Sequence, residues 1–371
     1  MKNLHGILFA YSSNIRLKEL TEHRTASSMP YGSRYRVVDF MLSNMVNAGI
    51  PDIGVIMREN YQSLLDHLGS GKDWDLSRKR GGLKLLPPFA YAGGRRDAAT
   101  YRGKLEALYA ITSYISHIRQ GTVVLADGDL IVNLPLDDIY ERHIETGADI
   151  TCVCLDREPG YESEAYLRID KKKRVAEVLL SQLDENTVPC IGVYFLSKKL
   201  LEKILADCAA HSHVVFTRDV LQRMQGQLNI MAYIHEGFSS RPQSVADYFK
   251  QSMALLKPEV RKDLFSRTRP IRTKVRDEAS TYYAPESRVK RSVVADGCVI
   301  KGDLENCIVF RGVEVEEGAR LKNCILMQDT HIERDVDLSF AITDKEVVVT
   351  RGRALKGHES YPIAISKGSV V

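Results

Sequence analysis

Short apolar runs alternate with helical patterns along the first two thirds of the chain. IGVIM (53–57), TVVLA (122–126), ITCVCL (150–155) and CIGVYFL (190–196) are apolar at nearly every position, as strands buried on both faces are. Between them, DFMLSNMVNAGI places Leu42, Met45, Val46 and Gly49 at helical spacing, with Asp39 positioned to cap the start. GKLEALYAITSYISHI predicts one helix with an apolar stripe of Leu105, Leu108, Ile111, Ile115 and Ile118. The alternation predicts a mostly parallel sheet covered on both faces, with ligands at the carboxyl ends of its strands. The stretch from Gly69 to Tyr101, rich in Gly, Pro and Arg, predicts a long loop. Its Arg78, Lys79, Arg95 and Arg96 are available to an anion or a partner.

After about residue 240 the pattern changes. VADYFKQSMALL predicts one helix, and KPEVRKDLFSRTRPIRTKVRDEAS a charged connector. A six-residue rhythm then pairs Val294 with Cys298, Val309 with Val313, Val315 with Ala319, Leu326 with Thr330 and Ile332 with Val336. Gly297, Gly312 and Gly318 fall just before the second member. This spacing predicts a parallel β-helix, a prism whose short strands each turn a side chain into a stacked core. An antiparallel sandwich would instead alternate every second residue. The predicted division is an α/β domain over 1–240, a helix and linker over 241–285 and the repeat over 286–371.

Composition narrows the classes. The chain of 371 residues is 44% hydrophobic and 27% charged, with a net charge of +4. That charge does not argue for nucleic acid as a partner and leaves room for a local phosphate site. Seven scattered cysteines without a CxxC pair suit a reducing cytoplasm and buried thiols. Cys152 and Cys154 share one strand face, and Cys298, Cys307 and Cys324 lie near the inner rows of the repeat; both sets are read as packing. No apolar run is long enough to span a membrane, and MKNLHGILFAYSS lacks the long apolar core of a signal peptide. The expected location is the cytoplasm.

The candidate chemistry begins at the first strand. LHGILFA runs into Tyr11-Ser12-Ser13-Asn14-Ile15, a loop without glycine, followed by Arg16-Leu17. The segments IRLKELT, YGSRYRVVDFMLSNMVNAGI, LLPPF, TYRGKLEAL, LADGDLIV and RPIRT occur in that order. Over nearly its whole length the chain thereby resembles sugar nucleotidyltransferases, and among them the bacterial ADP-glucose pyrophosphorylase family. The resemblance implies a nucleotidyltransferase-like, Rossmann-type α/β sheet domain followed by a left-handed parallel β-helix. Family enzymes join glucose 1-phosphate to ATP, giving ADP-glucose and pyrophosphate.

Against that family the chain departs at the reacting groups. The family loop, of the type LAGGRGTRL, lets backbone N–H groups cradle a triphosphate; here each loop glycine is replaced, and Arg16 remains either for an anion or in a surface ion pair. A family lysine that neutralises developing charge is matched by Ala26-Ser27, and such groups contribute on the order of 3 kcal/mol to a barrier. The Gly-Asp-His motif becomes Gly128-Asp129-Leu130. Asp129 retains a carboxylate for Mg²⁺ or serves as turn chemistry. The second metal aspartate is matched by Arg241, which would repel the ion. Glu-Lys-Pro aligns with Leu180-Ser181-Gln182, and Phe-Gly with Glu164-Ala165. YRGTADA becomes Tyr101-Arg102-Gly103-Lys104-Leu105-Glu106-Ala107, so Tyr101, Arg102 and Gly103 are remnants of substrate binding. Arg24 and Arg36 match positions linked to activation by phosphorylated sugars; the other reading is surface charge or a salt bridge.

The pattern is similar to the family's regulatory type of subunit. It implies a catalytically poor or inactive chain in a hetro-oligomer, a tetramer, with a catalytic ADP-glucose pyrophosphorylase subunit, the β-helices at the interfaces. Homo-oligomers stay open. The competing readings are an active adenylyltransferase with an altered loop, a stand-alone sensor of sugar phosphates or nucleotides, and a β-helix acyltransferase using His331 or His358.

Overall fold

A computed structural model describes residues 3–11, 17–88, 101–182 and 186–371. Arg16, Arg95 and Arg96 lie outside them. The chain divides into two units.

The first unit takes the described residues of 3–11, 38–240 and 266–272. Its nine-stranded sheet contains β1 (Leu4–Phe9), β2 (Asp52–Ile56), β3 (Gly82–Leu86), β4 (Thr122–Asp127), β5 (Ile150–Leu155), β6 (Ala165–Ile169), β7 (Val175–Leu179), β8 (Val188–Ser197) and β9 (Ile230–His235). The order is β7-β6-β8-β4-β1-β2-β3, with β5 on β8 and β9 on β5. Around β1 the pairing is parallel, in a register that sets Phe9 against Asp127 on one side and Ile56 on the other. The expected mostly parallel sheet needs correction, because β8 runs antiparallel to β4, β5 and β6. The cause is the β6–β7 hairpin, which turns at Asp170. There the carboxylate accepts the Lys172 and Arg174 amides at 2.8 and 2.9 Å while Lys173 takes φ 65°.

Both sheet faces are buried. The helices here are α1 (Val37–Asn47), α2 (Gln62–Leu68), α3 (Lys104–Ala110), α4 (Thr112–Ser116), α5 (Leu136–Glu145) and α6 (Lys198–His211). Ile7 and Leu125 pack with residues of α3 and α6 on one face; Leu8 and Val124 pack with α1 and α5 on the other. The single helix expected after Lys104 is two, since the chain breaks at Ile111, φ −106°, before Thr112–Ser116. Asp39 is not a cap. It lies in the first turn of α1, fully buried, 2.6 Å from His67 Nε2, because a partnered carboxylate in the core outweighs one exposed cap. The loop expected over 69–101 also contains a 3-10 turn, Lys72–Trp74, and β3, parallel to β2. Its glycines disguise the strand: Gly82, at φ 82°, sits where a Cβ would lie 2.1 Å from the Leu76 carbonyl oxygen.

The second unit takes residues 17–37, 241–265 and 273–371. Residues 17–37 thus cluster with the repeat, although their sequence position falls within the 1–240 segment. Tyr248, on the helix Val245–Ala254, donates to the Pro30 carbonyl at 2.7 Å, and Tyr31 donates to that of Gln251 at 3.2 Å. The connector holds a further helix, Pro258–Leu264, opened by its proline.

The repeat forms parallel ladders, one of them running through Tyr282–Tyr283, Val299–Ile300, Glu314–Val315, His331–Ile332 and Val348–Val349. Cys298, Val309, Val313, Val315, Ala319, Leu326, Thr330, Ile332 and Val336 are buried, as the six-residue phase requires. The Cys298, Cys307 and Cys324 thiols donate to carbonyls of neighbouring coils, so they are packing groups. Among the described residues, no helix is long and apolar enough to cross a membrane.

Candidate functional site

The carboxyl ends of β1 and β4 lie side by side, and this end of an α/β sheet is where ligands bind. β4 ends at Asp127 and the chain turns through Gly128-Asp129, with the Gly128 amide bonded to the Phe9 carbonyl at 2.8 Å. Lys104, the first residue of α3, extends into this end. Its ammonium is 3.0 Å from Asp127 and 2.6 Å from Glu164, with side-chain exposures of 13%, 6% and 38%. The rings of Phe9 and Tyr194 stand 5.9 and 5.8 Å away, within range of a cation–π attraction. Tyr11 packs against Phe9 and Tyr101, each ring pair 6.1 Å apart. Burial first, then the Asp127 carboxylate, pushes the Tyr11 hydroxyl well above its usual range.

Gly103 sets where Lys104 begins. A Cβ there would lie 2.4 Å from the Val214 carbonyl oxygen, which already accepts the Leu105 amide at 3.1 Å. Gly103→Ala is therefore expected to destabilise by roughly 1–3 kcal/mol, the usual range for overpacking. Urea unfolding measures this, and a wild-type midpoint would refute the close fit.

The remaining sequence candidates are dispersed. Tyr101 is buried beside Tyr11, its hydroxyl pushed up by burial and then by Glu106. Arg102 is exposed and bonds Glu106, its backbone amide reaching that carboxylate at 2.6 Å. Asp129 is buried in the turn after β4. Of the carboxylates at this end, Asp127 is already held by an ammonium and so offers little to a metal ion. Ala26 and Ser27 are buried in a 3-10 turn of the second unit, where Arg241 is also buried. Arg78 pairs with Asp75 and Lys79 is exposed. His331 contacts Glu314 at 3.2 Å, and His358 bonds Ser360 at 2.8 Å.

The second unit gathers a basic cluster. Arg24, 4% exposed, donates to both Asp344 oxygens at 2.7 and 2.6 Å, with Met327 Sδ at 3.8 Å. Its charge is thus taken up by a structural tie to the repeat. Lys345 adjoins this pair. Burial, then Arg36 and Arg24, lower its pKa to about 7, with Arg276 adding a smaller push and Asp344 opposing. Arg311 is buried, 3.3 Å from Asp296, in a field to which Arg34 and Arg276 contribute.

Sequence reasoning names Arg24 and Arg36 in this cluster but misses Lys345, Arg276 and Arg311, which come from distant coils and the connector. It registers Lys104 only as a departure from YRGTADA and passes over Asp127. The available signal is the appearance of two opposite charges beside otherwise preserved motifs.

Residues 6–239 match the nucleotidyl transferase family, and residues 278–359 match the GlmU-like C-terminal hexapeptide family. The chain is 32% identical over 365 residues to glycogen biosynthesis protein GlgD of Bacillus subtilis, covering 98% of this chain and 96% of that protein. It is 36% identical over 367 residues to glycogen biosynthesis protein GlgD of Geobacillus stearothermophilus, with the same coverage. Glucose-1-phosphate adenylyltransferase of Bacillus mycoides is 29% identical over 357 residues, covering 95% and 94%. The chain belongs to the nucleotidyl transferase family, in the group that contains glycogen biosynthesis protein GlgD and glucose-1-phosphate adenylyltransferase.

Proposed function

We propose that this chain is a cytoplasmic regulatory subunit that associates with a catalytic glucose-1-phosphate adenylyltransferase, as a mixed tetramer, and raises its activity in ADP-glucose synthesis for glycogen. The observation that carries this reading is Lys104 between Asp127 and Glu164, with Tyr11 and Tyr101 packed beside them, at the sheet end where the transferase site falls. An ammonium inserted among carboxylates opposes magnesium, and the side chains crowd the space of a nucleotide. The fold itself is retained, and with it the surface through which a homologous chain is biased toward its active state. Buried free cysteines fit the cytoplasm.

The basic cluster of Arg36, Arg276, Arg311 and Lys345 is the proposed seat of an anionic effector, a phosphorylated sugar. Closely spaced cations at such a site are mutually repulsive until an anion joins them. Arg24 holds the framework through Asp344.

The test is to mix this chain with a purified catalytic adenylyltransferase and follow pyrophosphate release. The expected result is little turnover by this chain alone, a rate for the mixture above that of the catalytic chain, and co-elution on a sizing column. An unchanged rate without co-elution overturns the proposal.

A further inference from the structure

Three ionisable side chains distant in sequence converge at the end of β4: Lys104 from the start of α3, Asp127 from the strand terminus, and Glu164 from the residue before β6. We propose that they form an internal latch that keeps the nucleotide end of the sheet closed. The lysine supplies from within the positive charge that a nucleotide's metal ion would bring, and its ammonium stands 5.9 and 5.8 Å from the Phe9 and Tyr194 rings. This deepens the reading above that the chain performs little transfer itself, and rests on that part of it. It does not depend on activation of a partner.

The geometry supports a latch rather than a surface ion pair. The ammonium contacts two carboxylates and stands near two aromatic rings, and it is 13% exposed. Removing one member of a buried pair strands the other, whereas removing both relieves the site. Asp127 needs Lys104 far more than Glu164 does, since Glu164 keeps 38% of its side-chain surface in water. Gly103 fixes the origin of the lysine stem through its tight approach to Val214. The charges of Lys104 and Asp127 therefore belong together: either alone would be a liability at the sheet end, and together they seal it.

The experiment follows thermal unfolding of the full chain with and without millimolar ATP and Mg²⁺. The variants are Lys104→Thr, Asp127→Ser, the double variant and Glu164→Gln. Wild-type protein is expected to keep its midpoint on adding nucleotide. The double variant is expected to rise by about 2–4 °C, the shift for a ligand at roughly ten times its Kd. Lys104→Thr alone should melt below the double variant, because it removes the ammonium that faces the buried Asp127 carboxylate. Glu164→Gln, which loosens only the wetter arm, should fold and show a smaller nucleotide shift. The latch is overturned if wild-type protein shifts as much as the double variant. It is equally overturned if the folded double variant ignores nucleotide or, should that variant not fold, if Glu164→Gln does. Loss of partner activation with an intact latch overturns the regulatory reading alone; a nucleotide shift in wild-type protein with activation preserved overturns the latch alone.

Discussion

Replacing Arg24 by alanine is expected to cost about 3–5 kcal/mol of stability, the range for breaking one side of a buried ion pair. The guanidinium and the Asp344 carboxylate are 4% and 1% exposed. Without Arg24 the carboxylate keeps the Lys345 amide, at 2.7 Å, but loses its buried charge partner. The Met327 sulfur also loses its contact. Asp344→Ala should be at least as harmful, since it leaves Arg24 beside Lys345 without a counter-charge. A double Arg24→Leu/Asp344→Leu variant should recover much of the loss, because two apolar groups demand no pairing. Urea unfolding of the full chain compares the wild type with all three variants. A single-variant loss below about 1 kcal/mol, the level of a surface pair, would refute the buried tie.

Anion affinity at the basic cluster is expected to fall about tenfold between pH 6 and pH 8, as the charged fraction of one lysine falls. The cause is Lys345, whose folded pKa is brought down to about 7 by burial and by Arg36 and Arg24. Below that pH the side chain is an ammonium and attracts an anion; above it the amine is neutral. Sulfate is a suitable probe because its own charge does not change over this range. Lys345→Met should flatten the profile and weaken binding at pH 6. Stability runs the other way. Between about pH 7 and the ordinary lysine range the unfolded chain holds a proton that the folded chain lacks, so folding becomes more favourable as pH rises through that window. A sulfate affinity independent of pH in wild-type protein would remove Lys345 from the site.

Much of the architecture is legible in sequence because it rests on local periodicity. The six-residue phase from Val294 to Val336 locates the inner rows of the β-helix, and the apolar runs locate β2, β4, β5 and β8. Strand direction is less legible: nothing in CIGVYFL marks β8 as antiparallel, and the β6–β7 hairpin that reverses the chain lies in the polar, unremarkable stretch 165–179. The sites are least legible. Lys104 and Asp127 are separated by 23 positions and Lys104 and Glu164 by 60, so only folding brings their charges together. Arg24 reads as an effector-linked cation, a surface charge or a salt bridge, and its partner, 320 positions away, cannot be named from sequence. Asp39 reads as a cap because helix starts favour aspartate, yet its preference is overridden by a buried imidazole.

The interleaved course of the chain bears on how the protein is dissected. The second unit is assembled from three stretches, the first of which leaves and re-enters the sheet unit. Met29 and Tyr31 in that stretch are fully buried, and Tyr248, which bonds Pro30, arrives only after residue 240. A fragment ending at 240 would therefore expose an apolar flap near its own beginning, and a repeat fragment starting beyond it would lack the strip that Arg24 fastens down. Deletion mapping would report misfolding in both halves, and functions of the two units are better separated by point substitution than by truncation.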